Sequence, residues 1–320
     1  MKRILVYFVF SILYVLSLLP MRLLYVVSDG LYIIVYHLVG YRRKLVRKHL
    51  ESCFPEKDKD FIVKTEKGFY HWLCDYMVET VKLLTISEQN LKRRMVFKGT
   101  EMINEIVETG QSCALYLGHY CNWEWITSLP LWFTPKAKCC QVYHVLENPW
   151  ADRLFLKLRG RMGAISIPMS EVLRRLAAFR QQGHPVVIGY ISDQVPFWNN
   201  IHHWVDFLHH DTPVLTGTER LIRGTGQAVF YLDVRRVRRG YYEGEFKLIE
   251  RNPKNTKDFE LTDVYFKYLE ASIVRDPQCY LWTHNRWKRT REEFNIRYDE
   301  ETGRVSLEDL ETIKKRKGLL

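Results

Sequence analysis

Two titratable side chains stand five residues apart in "LYLGHYCNWEW" (115–125): His119 and Glu124, the latter flanked by Trp123 and Trp125. An imidazole takes up a proton near neutral pH. A carboxylate that accepts one of its ring N–H groups fixes the tautomer and stabilises the imidazolium. The other ring nitrogen is then a general base for a hydroxyl. On one continuous helix a five-residue step turns a side chain by roughly 500°, which leaves the two about 140° apart. The pair therefore meets only if His119 lies in a turn and Glu124 in the first turns of a following helix. Gly118 would then let a substrate approach the backbone closely. Taken alone, the same residues also describe a hydrogen-bonded histidine in a strand–helix turn.

The surrounding pattern supplies the elements that would hold such a pair. "CALYLGH" (113–119) reads as a strand and 122–132 as a helix. Strand-like "KCCQVYHV" (138–145) leads to a helix from Pro149 to Arg159. "AISIP" (164–168) precedes a helix with Ser170 as N-cap and Gly183 as stop. "PVVIGYIS" (185–192), "QAVFYLDV" and "GEFKLIE" read as further strands. Helical spacing runs over 61–86 and again from Asp258 to Arg275. This alternation predicts one α/β domain, a largely parallel central sheet flanked by helices. In such sheets chemistry gathers past the carboxyl ends of strands, where His119 would lie.

The chain has 320 residues, 47% of them hydrophobic, which is ample for a core and excludes wholesale disorder. Its net charge of +11 favours an anionic partner, such as headgroups, nucleic acid or an acidic protein. Seven cysteines without a C-x-x-C pair argue for reduced thiols and a reducing compartment. Residues 4–19 and a second apolar run around Asp29 and Gly30 precede the cationic "RRKLVRKH" (42–49). No small-x-small cleavage site follows the first run, so membrane attachment through one or both is predicted, with the cationic run against anionic headgroups. The predicted organisation is an N-terminal membrane-attached helical segment (1–48), an α/β domain (49–298) and a polar C-terminal tail (299–320).

Several ordered blocks resemble a known family. "GHYCNWEW" is similar to the H-x-x-x-x-D/E signature of glycerolipid and lipid A acyltransferases, and most of all to the bacterial lipid A biosynthesis late acyltransferases. "HLESCFPE" (49–56), "NPWADRLFLKLRGRMG" (148–163), "SDQ" (192–194) and "PQCYLWTHNRWKR" (277–289) resemble further blocks of that family, in the same order. The resemblance implies a glycerolipid acyltransferase-like fold and transfer of a fatty acyl chain from an acyl-carrier-protein thioester, or from coenzyme A, to a hydroxyl of a lipid A precursor. It implies that His119 is the general base and Glu124 its orienting carboxylate, with Arg159 and Asp193 also catalytic. Arg159 would bind an acceptor phosphate or stabilise an oxyanion. Asp193 would hold a basic group in place. Gly118, Asn122, Trp123, Asn148, Asp152, Arg161, Gln194 and Arg286 would contact substrates. No metal or organic cofactor is implied, and the location implied is the bacterial inner membrane with the catalytic domain on its cytoplasmic face.

Departures and decoys bound this reading. His49 stands where the family has Asn, and Gln278 and Cys279 stand where it has Glu and Gln. "FPEK" (54–57) lies before the histidine and lacks the Gly and Arg of the glycerol-phosphate-binding block. "HHWVDFLHHD" (202–211) pairs its histidines side by side rather than at i, i+4, which favours a loop lining the site over a metal centre. "VRRVRRG" (234–240) reads as a basic strand edge. Another glycolipid or aminolipid acceptor remains an alternative. From a different class, so does a non-catalytic basic protein on membranes or nucleic acid, although no nucleic-acid-binding signature accompanies the charge.

Overall fold

Strands alternate with helices from residue 95 onward, after a run of helices at the N-terminus. The computed structural model describes residues 2–319; Met1 and Leu320, the outer ends of the two predicted terminal segments, lie outside the described residues. In chain order come α1 (Lys2–Leu18), α2 (Met21–Tyr32, continued by a π-helix to Val39), α3 (Arg43–Cys53), α4 (Lys59–Lys82) and α5 (Glu88–Arg94). Then follow β1 (Met95–Lys98), α6 (Thr100–Glu108), β2 (Cys113–Leu117), β3 (Lys138–Tyr143), α7 (Pro149–Gly160), β4 (Ile165–Pro168), α8 (Val172–Gln181) and β5 (Val186–Ile191). A hairpin of β6 (Trp204–Phe207) and β7 (His210–Pro213) precedes α9 (Gly217–Thr225), β8 (Ala228–Arg238), β9 (Tyr241–Glu250) and α10 (Glu260–Arg275). Short elements α11 (Arg291–Arg297), β10 (Tyr298–Asp299), β11 (Arg304–Val305) and α12 (Leu310–Arg316) end the chain.

Seven strands form one sheet in the order β1-β9-β8-β2-β5-β3-β4. Every neighbouring pair is parallel except β8–β9, so the sheet is mostly parallel. Helices cover both faces, which is why every residue of β2 is buried and its sequence is apolar throughout rather than alternating. Each such Leu or Val contributes about 1.5–3 kcal/mol of burial. In the central pair, Leu117 is in register with Ile191, so the turns leaving β2 and β5 emerge side by side.

Local chemistry overrides the helix predicted over 122–132. Cys121 adopts a left-handed φ of 53°, and a 3-10 helix, not an α-helix, spans Trp125–Leu131 with Pro130 inside it. Proline has no N–H to offer an α-helical ladder. Ser170 likewise is no cap: it lies in a single 3-10 turn, and α8 starts at Val172. Asp58 caps α4 by accepting from the Phe61 amide, so the helix starts at Lys59, two residues before the Phe61 start implied by periodicity.

The N-terminal helices are bolted to α4 by polar bonds. Ser28 Oγ donates to Asp75 at 2.6 Å, Tyr36 OH to Glu66 at 2.9 Å and Tyr25 OH to Glu79 at 2.8 Å. Leu24 and Tyr36 join the core, whereas Leu23, Val26, Ile33, Leu38 and Val39 present an exposed apolar face. The 19 residues Met21–Val39 are long and apolar enough to cross a membrane by length and composition. The cationic run is partly spent inside the protein: Arg42 donates to the Thr283 carbonyl, and Arg43 and Arg47 pair with Glu66.

The histidine-rich stretch is a hairpin rather than a loop, turned by Leu208 and His209 at φ 53° and 64°. Two left-handed residues are what a tight two-residue hairpin turn requires, so the backbone takes the shape without a glycine. Its histidines diverge, His203 to Asp263 and His210 to Ser52 Oγ, and no cluster of three potential metal ligands occurs among the described residues. The basic stretch pairs with β9 on one side only: the register of β8 with β2 ends at Tyr231, so residues 234–238 run past it with their other side unpaired by any strand among the described residues. Arg235 pairs with Glu243 across to β9, and Arg239 with Asp29 and Asp75.

Candidate active site

His119 and Asp193 each lie two residues beyond the last residue of their strands, β2 and β5. Because Leu117 and Ile191 are in register, the two turns bring the side chains together. Asp193 Oδ1 is 2.6 Å from His119 Nδ1, and its Oδ2 accepts the His119 backbone N–H at 3.3 Å. Nδ1 therefore carries the proton it shares with the carboxylate, and Nε2 is left as the basic nitrogen. Nε2 has the Gln194 side-chain amide 3.4 Å away. His119 keeps 17% of its side chain exposed, while Asp193 has none.

Arg286 completes the row from the opposite side. Its Nη2 donates to Asp193 Oδ2 at 2.9 Å and its Nε to the Asp193 carbonyl at 2.5 Å. Burial by itself would raise Asp193, but the His119 ring and the Arg286 guanidinium hold it well below the usual carboxylate range. The closing block is pinned against the same loop: Cys121 N donates to the Cys279 carbonyl, and Leu281 N to that of His119.

Glu124 does not meet the histidine. Its carboxylate is taken by Arg159, Nε to Oε2 at 2.8 Å and Nη2 to Oε1 at 2.6 Å, a bidentate fork. Tyr76 OH donates to the same carboxylate at 3.5 Å. No hydrogen bond or ion pair links Glu124 to His119 among the described residues. The carboxylate on the imidazole is Asp193, not the Glu124 that the five-residue spacing predicts. The physical reason is the left-handed turn at Cys121 and the absence of an α-helical first turn, which aim Glu124 towards α7 instead. Between the two ion pairs sits Trp123, edge-on to His119 with centroids 5.2 Å apart and packed against Tyr76 at 4.2 Å with the rings tilted by 33°.

A model of the family described as Bacterial lipid A biosynthesis acyltransferase matches residues 1–289. The chain belongs to this family. No curated protein matches it.

In this acyltransferase the remaining predicted residues take varied places. Gln194 is exposed beside His119. Gly118 is buried, and a Cβ there would collide with Leu269 Cδ1 of α10, so its lack of a side chain serves helix packing rather than substrate approach. Asn122 is fully buried, its Nδ2 on Glu79 at 2.6 Å and its Oδ1 on the Trp125 amide at 2.9 Å. Asn148 caps α7 through the amides of Trp150 and Ala151, and Asp152 accepts from the Leu146 amide at 3.0 Å. Arg161 donates to the carbonyls of Leu83 and Ile86, which ties the end of α7 to the end of α4. Arg286, only 1% exposed, faces Asp193 and not solvent. Asn122, Arg161 and Arg286 thus hold the site's frame through protein partners; of the Arg286 nitrogens, Nη1 is buried with no hydrogen-bond partner among the described residues. Tyr76 and Glu79, both on α4, touch the loop and escaped the sequence reading, because at helical spacing they read as part of a packing face.

A recess of about 760 Å³ opens elsewhere, at the amino ends of β2, β5 and β8 near Ser112, Pro185 and Gln227. It is at the wrong end of the sheet for this chemistry. All seven cysteines are buried and unpaired. Burial pushes Cys139 and Cys140 up to about 12, which makes them inert thiols.

Proposed function

We propose that this acyltransferase moves a fatty acyl chain from an acyl-carrier-protein thioester to a hydroxyl of a lipid A precursor, with His119 Nε2 as general base. Nε2 takes the hydroxyl proton as the oxygen attacks the thioester carbonyl. The tetrahedral intermediate collapses with loss of the C–S bond, and the leaving thiolate takes the proton from the imidazolium. No covalent enzyme intermediate and no cofactor enter this sequence. Asp193 fixes the tautomer and stabilises the imidazolium. Arg286 keeps Asp193 ionised, and Glu124 holds Arg159 as the cation that faces an anionic oxygen of the substrates. Trp123 supplies an apolar wall beside the base.

The observation that carries this reading is the 2.6 Å pair between His119 Nδ1 and Asp193, which leaves Nε2 as the unprotonated nitrogen on the partly exposed side, with only the Gln194 amide 3.4 Å away. Membrane attachment is part of the proposal. It is supported by the exposed apolar face of Met21–Val39 and by reduced cysteines, which suit a catalytic domain on the cytoplasmic side of the inner membrane. The test is acyl transfer by purified His119→Ala and Asp193→Asn proteins, with acyl-carrier-protein and coenzyme A thioesters compared as donors. Near-normal turnover by His119→Ala would refute the base.

A further inference from the structure

Glu79 is a fully buried carboxylate without a cation. It lies on α4, is 0% exposed, and forms no ion pair among the described residues. Three neutral donors from three separate elements converge on it instead. Tyr25 OH of α2 donates to Oε1 at 2.8 Å. Asn122 Nδ2 of the catalytic loop donates to Oε2 at 2.6 Å, and Tyr242 OH of β9 to the same oxygen at 2.9 Å. The backbone carbonyl of Glu79 also accepts Trp125 Nε1 at 3.0 Å.

An isolated buried charge is costly unless its hydrogen-bonding capacity is filled. A carboxylate accepts from all three donors at once, whereas an amide would turn its NH₂ towards one of them, which only a tyrosine hydroxyl could meet by accepting. Burial, reinforced by Asp75, pushes Glu79 up to about 7, against the opposing hydrogen bonds from Tyr242, Tyr25 and Asn122. The carboxylate thus joins α2, the catalytic loop and β9 at one buried point.

The junction reaches the chemistry through Asn122, whose Oδ1 holds the Trp125 amide and so fixes the stretch between His119 and Glu124. One turn earlier on α4, the Tyr76 ring packs against Trp123 and its hydroxyl bonds Glu124. On its other side the junction reaches α2, whose outer face exposes Leu23 and Val26. We propose that Glu79 is a positioning residue through which the seating of the N-terminal helix α2 sets the geometry of the loop that carries His119 and Glu124. The proposal rests on the reading of His119 as the catalytic base.

The test uses the full chain in detergent, with hydrogen exchange of the 119–125 amides and acyl-transfer kinetics measured on the same preparations. Tyr25→Phe removes one donor to Glu79, far from the reacting atoms. It is expected to speed exchange at the Trp125 amide and lower kcat, each about tenfold, with KM for the thioester unchanged. Glu79→Gln, which keeps one acceptor oxygen for Asn122, is expected to retain most of the kcat that Glu79→Ala loses. Ser28→Ala loosens the same helix interface through Asp75 without touching Glu79, and should leave both readouts within about twofold. Unchanged exchange and kcat in Tyr25→Phe would overturn the proposal, as would equal losses in Ser28→Ala and Tyr25→Phe, which would mean general loosening. Should Glu79→Ala fail to fold, Tyr25→Phe still decides. A fully active His119→Ala measured alongside would sink the reading of the base, while exchange at Trp125 would still judge the link to α2.

Discussion

Replacing Asp193 by Asn should remove most of the turnover while leaving the loop almost isosteric. At about 4 Å between charge centres and an effective dielectric near 20, the imidazolium–carboxylate pair formed in the transition state is worth about 4 kcal/mol. At about 1.36 kcal/mol per tenfold, its loss predicts a kcat lower by roughly three orders of magnitude. A second effect points the same way: the amide NH₂ facing the ring would favour the tautomer protonated at Nε2, which is no base. Arg286 would also lose its buried counter-charge, at a stability cost of about 3–5 kcal/mol. Turnover is therefore scored per folded molecule, with acyl-carrier-protein thioester and lipid A precursor both saturating and folding followed by near-UV circular dichroism. Asp193 is held below the usual carboxylate range, so its stabilising contribution is present above the unfolded value of about 3.9 and is lost only as pH falls through the lower folded value. It should add no acid limb to the rate profile between about pH 5 and 8. A folded Asp193→Asn protein within about tenfold of wild type would refute the reasoning.

Arg159→Lys keeps the charge but breaks the fork on Glu124, and should lower kcat about 10–100-fold in the same assay with little change in melting temperature. Gly118→Ala should destabilise by about 1–3 kcal/mol through overpacking against Leu269, measured by thermal melting. Leu269→Ala in the same chain should recover part of that loss; no recovery would mean the glycine is kept for another reason. Glu79, raised to about 7 and faced by Tyr25, Tyr242, Asn122 and Asp75, gives full stability below its unfolded value of about 4.3 and loses it as pH rises towards its folded value. That loss amounts to about 4 kcal/mol, so Glu79→Gln should show a flatter fall in melting temperature from mildly acidic to mildly alkaline pH than the wild type does. Parallel curves would contradict it.

Much of the fold was legible because its signals are local. The apolar runs that became β2, β5 and the first seven residues of β8 are buried almost throughout, and burial of that kind writes itself into composition, while β9 shows the alternation of a strand with one open face. What failed was what depends on long-range neighbours. Nothing in the residues says that β5 lies beside β2 in register, so the partner of His119 could not be chosen between Glu124, near in sequence, and Asp193, near in space. The short strand β1 hid between two helical patterns, and its partners in β9 lie 147 residues further along the chain. The same limit applies to Asn122, Arg161 and Arg286: a polar residue in a matched block reads as substrate-binding until its protein partners are seen. The left-handed backbone at Cys121, Leu208 and His209 carries no glycine or asparagine signal at all.

The most direct measurement is mass spectrometry of acceptor and carrier after reaction of the purified protein, wild type beside His119→Ala. The account predicts that the wild type adds one acyl chain to the lipid A precursor and frees one carrier thiol per chain. It predicts that folded, liposome-binding His119→Ala does neither above background. Comparable product from both proteins, or thiol release without acylated lipid, would contradict it.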